Sequence, residues 1–394
     1  LTVHFVNRFY WPDEPATAQL LGDLAEGLAG RGYRVSVIAS RPRGTNRSER
    51  VRGVGIVRVG GGRARDRALP GKAFNFAAYA LGAWLTLSRT VRAGDVVVCL
   101  TDPPLLGVAA ASVAARRGAR VVHWIQDIYP EVALACGAPP VLRALRPIRD
   151  RSWRRATACV TLGADMASVV AAAGVDPARI KVIPNWPPAG LGPASPEAVA
   201  ARRRAWGIEG RFIAQYSGNL GRVHDLTAVL AAAAELRDDP SIGFLFVGGG
   251  PRLAELEREA SRRGLGNIAF RPAQPRSELA ATLGAGDVHL VALRAGCEAC
   301  VFPSKLAGAA AAGRPVAFVG PVGCEPARQI EAGGFGRAFG PTDGPGLAAA
   351  LRDWSRAPEK VASMGSAALR FAEGTPFLPA WEAVLGPPGQ ASDK

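Results

Sequence analysis

The sequence predicts an α/β protein made of two doubly wound, parallel-sheet domains. Three observations lead there. Short β-branched runs alternate with Ala/Leu-rich helical stretches up to about residue 184, the rhythm breaks near 185–210, and it then restarts. Strands that alternate with helices build a mostly parallel sheet covered on both faces. A chain of 394 residues is long enough for two such cores.

In the first half, strands are expected at 2–7, 34–39, 55–59, 95–100, 120–125, 158–162 and 180–184. Helices are expected near 16–30, 72–91, 104–117, 141–155 and 164–174. The runs at 95–100 and 120–125 are almost continuously apolar, as strands buried on both faces should be. The Pro/Gly-rich stretch from Asn185 to Pro196 then reads as a linker leading into a short arginine-rich helix. Beyond it, strands are expected at 212–217, 243–247, 268–271, 287–293 and 315–319. Helices are expected at 225–237, 251–263, 276–284, 304–312, 345–355 and 359–386. The resulting domains are 1–187, 200–375 and a C-terminal helix and tail at 376–394. Ligands of such sheets bind outside the carboxyl ends of the strands, here in a cleft between the domains.

Composition narrows the partners. The net charge is +15, which favours anionic ligands or surfaces. The chain carries no nucleic-acid-binding module and no stripe of aromatics among basic residues, which argues against nucleic acid as the partner. Phosphorylated small molecules and anionic lipid remain. Only five of the 48 basic residues are lysines, at 72, 181, 305, 360 and 394. Six scattered cysteines point to a reduced, cytoplasmic setting, and the start reads as a strand rather than a leader. Cys297 and Cys300 form a CxxC, but a zinc site needs a second pair and the sequence has none, so neither metal nor cofactor is expected.

Two segments carry the chemistry. In the first, Cys297-Glu298-Ala299-Cys300-Val301-Phe302-Pro303-Ser304-Lys305-Leu306, a loop feeds a helix that ends at Gly313. The free N–H groups of a helix start suit a diphosphate. Lys305 sits in the first turn, where a cation is mildly unfavourable to the helix, so a ligand role competes with that of a plain surface lysine. The second segment, Tyr216-Ser217-Gly218-Asn219-Leu220-Gly221-Arg222-Val223-His224-Asp225, links a strand to a helix. Its two glycines allow close backbone approach to a ligand.

Together these segments resemble the family-4 retaining glycosyltransferases of the GT-B fold, in the branch that adds amino- or deoxy-sugars during surface polysaccharide assembly. The resemblance runs in order through Asn7–Thr17, Gln126-Asp127-Ile128-Tyr129-Pro130-Glu131, Ile183-Pro184-Asn185-Trp186 and Val247-Gly248-Gly249-Gly250-Pro251, and so spans nearly the whole chain. It implies two Rossmann-like domains facing a cleft, with a nucleoside-diphosphate sugar, UDP-linked, held by the C-terminal one. Arg222 and Lys305 would neutralise the leaving diphosphate. Gly218, Asn219, Gly221, Glu298, Cys300, Val301, Pro303 and Ser304 would line the donor site. Asp127, Gln126 and Glu14 would lie on the side of a lipid-linked or saccharide acceptor. Asp127 has a second reading, as the N-cap of the helix after Pro130, and Glu14 as a solvent-exposed carboxylate. His224 falls where many relatives place a lysine and would meet phosphate only when protonated.

The chain also departs from the wider family. Of the Glu-x7-Glu pair around the phosphate helix, the second position holds Gly308 and the first Cys300, with Glu298 two residues earlier. Gln126 stands where the wider family has histidine. These losses leave room for a catalytically silent nucleotide-binding or scaffold protein. A UDP-sugar 2-epimerase would need carboxylates and histidine clustered in the cleft, and the four histidines form no such set.

One stretch suits a membrane surface. Residues 73–87 are strongly apolar, are flanked by Lys72, Arg89 and Arg92, and are too short to span a bilayer. With Trp84, Tyr79 and two phenylalanines they suit an interfacial helix, and Arg143, Arg146, Arg149, Arg151, Arg154 and Arg155 form a second basic cluster. A core-facing helix beside a solvated basic face is the other reading.

Overall fold

The structure, a computed structural model, describes residues 1–13, 15–42, 44–60, 69–374 and 376–388. The side chains of residues 69, 70 and 72 lie outside that description. The chain divides into two compact units. One comprises Leu1–Asn185 with the segment that starts at Pro376, the other Trp186–Thr375.

The first unit is built on eight strands: β1 (Thr2–Val6), β2 (Arg34–Ser40), β3 (Ser48–Val51), β4 (Val54–Val59), β5 (Val96–Cys99), β6 (Arg120–Trp124), β7 (Ala158–Thr161) and β8 (Ile180–Val182). Their order is β3-β4-β2-β1-β5-β6-β7-β8, and every pairing is parallel except β3 with β4. The second unit holds six parallel strands: β9 (Phe212–Ser217), β10 (Ile242–Val247), β11 (Ile268–Arg271), β12 (Val288–Ala292), β13 (Val316–Val319) and β14 (Gly336–Phe339). Their order is β11-β10-β9-β12-β13-β14. Strands β5, β10, β12 and β13 are buried at every residue, which is why they read as apolar runs interrupted only by His289. In each sheet the strand order reverses beside the first strand, between β1 and β5 and between β9 and β12. A crevice opens at such a switch point, beyond the carboxyl ends of the two strands.

Two strands escaped the sequence reading. Strand β3 is a polar edge strand, Ser-Glu-Arg-Val, with no apolar run to announce it. It is held by a buried ion pair, Arg58 of β4 to Glu49 at 2.8 Å, and Arg58 also donates to the Trp11 carbonyl at 2.6 Å. Strand β14 opens on Gly336, where a Cβ would stand 1.9 Å from the Val316 carbonyl oxygen, so only glycine fits. The helix Glu325–Ala332 that precedes β14 was missed with it.

The long helices expected at 141–155 and 359–386 are each divided. Pro147 starts a new helix, Arg146–Arg155, after the 3₁₀ turn Pro140–Leu145. In the second case Pro358–Glu373 is followed by Phe377–Leu385. The latter packs on the first unit. Its Trp381 is fully buried and meets Trp124 edge-on at 4.9 Å, Leu378 fills the space left by Gly27, and Tyr33 donates to the Gly386 carbonyl at 2.7 Å.

The interfacial helix needs correction in detail. Helix Leu69–Thr90 turns Tyr79 wholly inward, with its hydroxyl on the Ile38 carbonyl at 2.7 Å, and Trp84 donates to Ser112. The exposed stripe is instead Phe74, Ala77, Leu81 and Leu85, at the i, i+3, i+7, i+11 spacing of one helix face. Of the arginines, Arg149 is buried against Glu131, Asp150 and the Trp153 ring, and Arg146 pairs with Glu131. Arg143, Arg151, Arg154 and Arg155 remain exposed, and Val141 and Ile148 are exposed among them. Among the described residues no helix is long and apolar enough to cross a membrane.

The Trp381 anchor gives a first prediction. Trp381→Ala should destabilise the first unit by about 3–5 kcal/mol, the usual cost of emptying a buried aromatic site. Urea unfolding followed by hydrogen exchange should show lost protection in β1, β5 and β6, with β9–β13 unchanged.

Candidate functional site

The switch point of the second unit gathers the residues singled out from the sequence. The segment from Gly218 to Asp225 leaves the end of β9, and the segment from Arg294 to Ser304 leaves the end of β12. Two glycines make the first turn possible. Gly218 has φ +119° and Gly248 +135°, and a Cβ on Gly248 would stand 2.3 Å from the Gly218 carbonyl oxygen. The turn after β9 is then stitched to the turn after β10, Gly218 N–H to the Val247 carbonyl at 2.8 Å and Leu220 N–H to the Gly249 carbonyl at 2.7 Å.

Lys305 is the first residue of the helix Lys305–Ala311. Its side chain reaches back under the β9 turn, with Cε 3.2 Å from where a Gly218 Cβ would be. The ammonium donates to His224 Nε2 at 2.7 Å and lies 4.9 Å from the centre of the Tyr216 ring. Among the described residues it has no carboxylate partner. Burial lowers its pKa to about 8, so the cation dominates at neutral pH. Behind it, Gly365 of Pro358–Glu373 lets that helix close on the Gly313 carbonyl, where a Cβ would come within 2.5 Å.

Arg222 is exposed on the same turn, and its guanidinium makes no hydrogen bond or ion pair among the described residues. Its carbonyl accepts from Arg294 Nε at 3.0 Å. Two basic side chains without counter-charges thus share one loop system with the exposed Asn219 and with Gly221. On the opposite segment Cys297 and Cys300 are buried, Val301 donates its N–H to the Cys297 carbonyl, and Pro303 is buried. Ser304 occupies the N-cap position without a side-chain cap bond. Glu298 keeps Oε2 buried without a hydrogen-bond partner. A Cβ at Gly308 would meet only Leu283, at 3.8 Å, so packing does not demand glycine there. No group of three or more His, Cys, Asp or Glu side chains suits a metal ion among the described residues.

In the first unit, Asp127 follows β6 and lines a small cavity of about 30 Å³ with Thr101, His123, Tyr129, Arg149 and Ser152. That is room for one or two waters. Burial, reinforced by the Asp102 carboxylate, raises the Asp127 pKa to about 6. Asp127 does not cap the next helix: Glu131–Ala135 has Pro130 at its N-cap and no side-chain cap bond. Gln126 is committed to Asn185, the two amides exchanging hydrogen bonds of 3.2 Å. Glu14 lies outside the described residues.

Sequence reasoning undervalued His224 and passed over Tyr216. The pairing that gives both a role joins residues 81 positions apart, and no local pattern announces it.

Two Rossmann-like units, one presenting uncompensated cations at its switch point, are the build of a GT-B glycosyltransferase. Residues 17–186 match the family model described as a glycosyl transferase 4-like domain, and residues 200–371 match glycosyl transferases group 1. The chain belongs to the family-4 glycosyltransferases. It is 27% identical over 333 residues to the colanic acid biosynthesis glycosyl transferase WcaI of Escherichia coli K12, covering 79% of this chain and 81% of the relative. It is 28% identical over 266 residues to the glycosyltransferase WbjE of Pseudomonas aeruginosa, 66% of each chain. Among solved structures, Anabaena HepE in complex with UDP-glucose superposes with a TM-score of 0.74 at 16% identity, over 97% of this chain and 98% of that one.

Asp127 gives the second prediction. A carboxyl whose folded pKa is raised binds its proton more tightly when folded, so stability falls as pH rises from about 4 through 6. Asp127→Asn should therefore leave melting unchanged near pH 4 and raise it by a few degrees at pH 7.5, while lowering activity. Thermal melts at the two pH values check the sign.

Proposed function

We propose that this glycosyltransferase moves a sugar, with retention, from a UDP-sugar to a lipid-linked or saccharide acceptor in cell-surface polysaccharide assembly. The observation that carries the donor assignment is Lys305: a half-buried ammonium with a neutral imidazole and an aromatic face as neighbours and, among the described residues, no carboxylate partner. A buried charge without a counter-ion is costly, and a diphosphate would supply the missing charge. The UDP-glucose complex of HepE and the colanic acid role in the name of WcaI support the donor class and the pathway class.

In this reading the helix start at Lys305 and the turn at Gly218 hold the diphosphate, and Lys305 and Arg222 face its leaving oxygens. As the sugar–phosphate bond breaks, negative charge grows there, and a fixed cation gains more in the transition state than in the ground state. Asp127, ionised above a pKa of about 6, accepts the acceptor hydroxyl's proton on the first unit. No Asp-x-Asp motif stands at a strand end to hold a divalent ion, so the reaction proceeds in EDTA.

The kinetic test follows. In EDTA, Lys305→Ala and Arg222→Ala should each lower kcat on the order of 10²–10³-fold, with a smaller change in donor KM. Lys305→Arg should recover part of the loss, because a planar fork replaces a point charge. For the wild type, kcat/KM for the donor should fall as pH rises past about 8, where Lys305 loses its proton. Lys181→Ala, on the exposed β8, should be neutral. A Lys305→Ala protein that is folded and keeps its turnover would defeat the proposal.

The acceptor's lipid would be met at the membrane. Helix Leu69–Thr90 packs on Leu106–Arg117, and that helix on Arg146–Arg155, so the apolar stripe and the exposed arginines belong to one helical layer. We place this chain on the cytoplasmic face of the membrane, held peripherally through that layer. Co-sedimentation with anionic liposomes should be strong at low salt and weak at high salt. Phe74→Ser/Leu81→Ser should reduce it at both.

A further inference from the structure

We propose that His224 is the positioning residue for the Lys305 cation: its Nε2 accepts a hydrogen bond from the ammonium, fixes Nζ in place, and leaves the remaining N–H donors to the donor's diphosphate. The last clause rests on the donor-site reading above; the pairing itself does not.

The tautomer follows from chemistry. An ammonium has three donors and no acceptor, so the nitrogen 2.7 Å from it must be the unprotonated one. The neutral ring then carries its proton on Nδ1. Nδ1 is buried without a hydrogen-bond partner, on the side of Gly221, where a Cβ would lie 3.8 Å away. Beyond it opens a cavity of about 210 Å³ that Gly221, His224 and Arg252 help to line. Among the described residues no carboxylate hydrogen-bonds the ring: of the two glutamates that line the same cavity, Glu255 pairs with Arg252 at 3.1 Å and Glu259 with Arg262 and Arg263. Lys305 faces it from its own helix, Tyr216 lies edge-on at 5.9 Å, and Arg252 donates to the His224 carbonyl at 2.6 Å. Arg294 binds the carbonyls of Val223 and Arg222, and Asp225 turns its carboxylate to Thr227. Burial first, then the charges of Lys305 and Arg252, holds the imidazole neutral down to a pKa of about 3.

The choice of a neutral acceptor has a physical consequence. A carboxylate at this position would also aim Lys305, but it would cancel the charge that a diphosphate needs to meet. A lysine would add charge and repel Lys305. Imidazole orders a flexible four-carbon chain and leaves its net charge intact.

With only four histidines, the test is direct. In 15N-histidine NMR of the full chain, His224 should be the neutral Nδ1–H tautomer from pH 5 to 7, where Lys305 is charged, and Lys305→Met should abolish that preference. A charged His224 at pH 6, or the Nε2–H tautomer, overturns the proposal. Competitive acetylation read by mass spectrometry gives a second measure. His224→Leu should lower the Lys305 titration midpoint by about one unit, because a buried ammonium loses a charge-assisted hydrogen bond, and His224→Gln should restore it. An unmoved midpoint in a folded His224→Leu protein also overturns it. With UDP as probe, His224→Glu should weaken binding on the order of 10-fold or more, and His224→Gln should keep it within a few fold. If the tautomer and midpoint behave as expected while UDP binding ignores every His224 and Lys305 variant, the pairing stands and the donor-site reading falls.

Discussion

A lysine ammonium drawn under a strand turn, with no carboxylate beside it, is the constraint around which the second unit is arranged. Transfer of a charge out of water is expensive, and proteins usually offset it with a counter-ion. Here the offset is partial: one hydrogen bond to imidazole and one aromatic face. Several otherwise separate features serve that arrangement. Gly218 lacks a Cβ where the Lys305 chain passes, and Gly248 lets the next loop close on Gly218. Tyr216 holds its ring under the ammonium and its hydroxyl on the Asn219 carbonyl at 2.9 Å. Arg252 pins the backbone of His224.

The first unit handles charge differently. Its internal arginines are matched: Arg58 with Glu49, and Arg149 with Glu131 and Asp150. The group left in tension is a carboxyl, Asp127, pushed upward by burial and by Asp102. Each unit therefore keeps a perturbed charge-bearing group near the carboxyl end of its sheet, the Lys305 cation in one and the Asp127 acid in the other. Perturbed groups of this kind gather at functional sites, since selection for stability alone would remove them. The matched arginines have a second effect. They take Arg146 and Arg149 out of the basic surface that the sequence suggested, and leave a narrower exposed set beside the apolar stripe of Leu69–Thr90.

Legibility in the sequence followed burial. Strands β5, β10, β12 and β13 are covered on both faces, so their sequences had to be almost wholly apolar, with His289 the exception, and each was visible. Strand β3 lies at an edge and β14 depends on a glycine, so neither carries that signature. The same logic applies to the site. Lys305 and Arg222 stood out through rarity and motif, both of which are read along the chain. Tyr79 and Trp84 misled, because an amphipathic aromatic suits a membrane interface and a protein core equally well, and only packing distinguishes them.

By itself the sequence determined the fold class, the two-sheet organisation and the glycine-bearing loops that meet at the switch point of the second sheet, since periodicity and turn residues are local properties of the chain. The tertiary structure alone decided what surrounds those residues. It joined His224 to Lys305 across 81 positions, tied Gln126 to Asn185 and carried Trp381 back to Trp124. Such pairings are set by where strands lie in a sheet and where a helix docks, and neither is written in the spacing of residues along the chain.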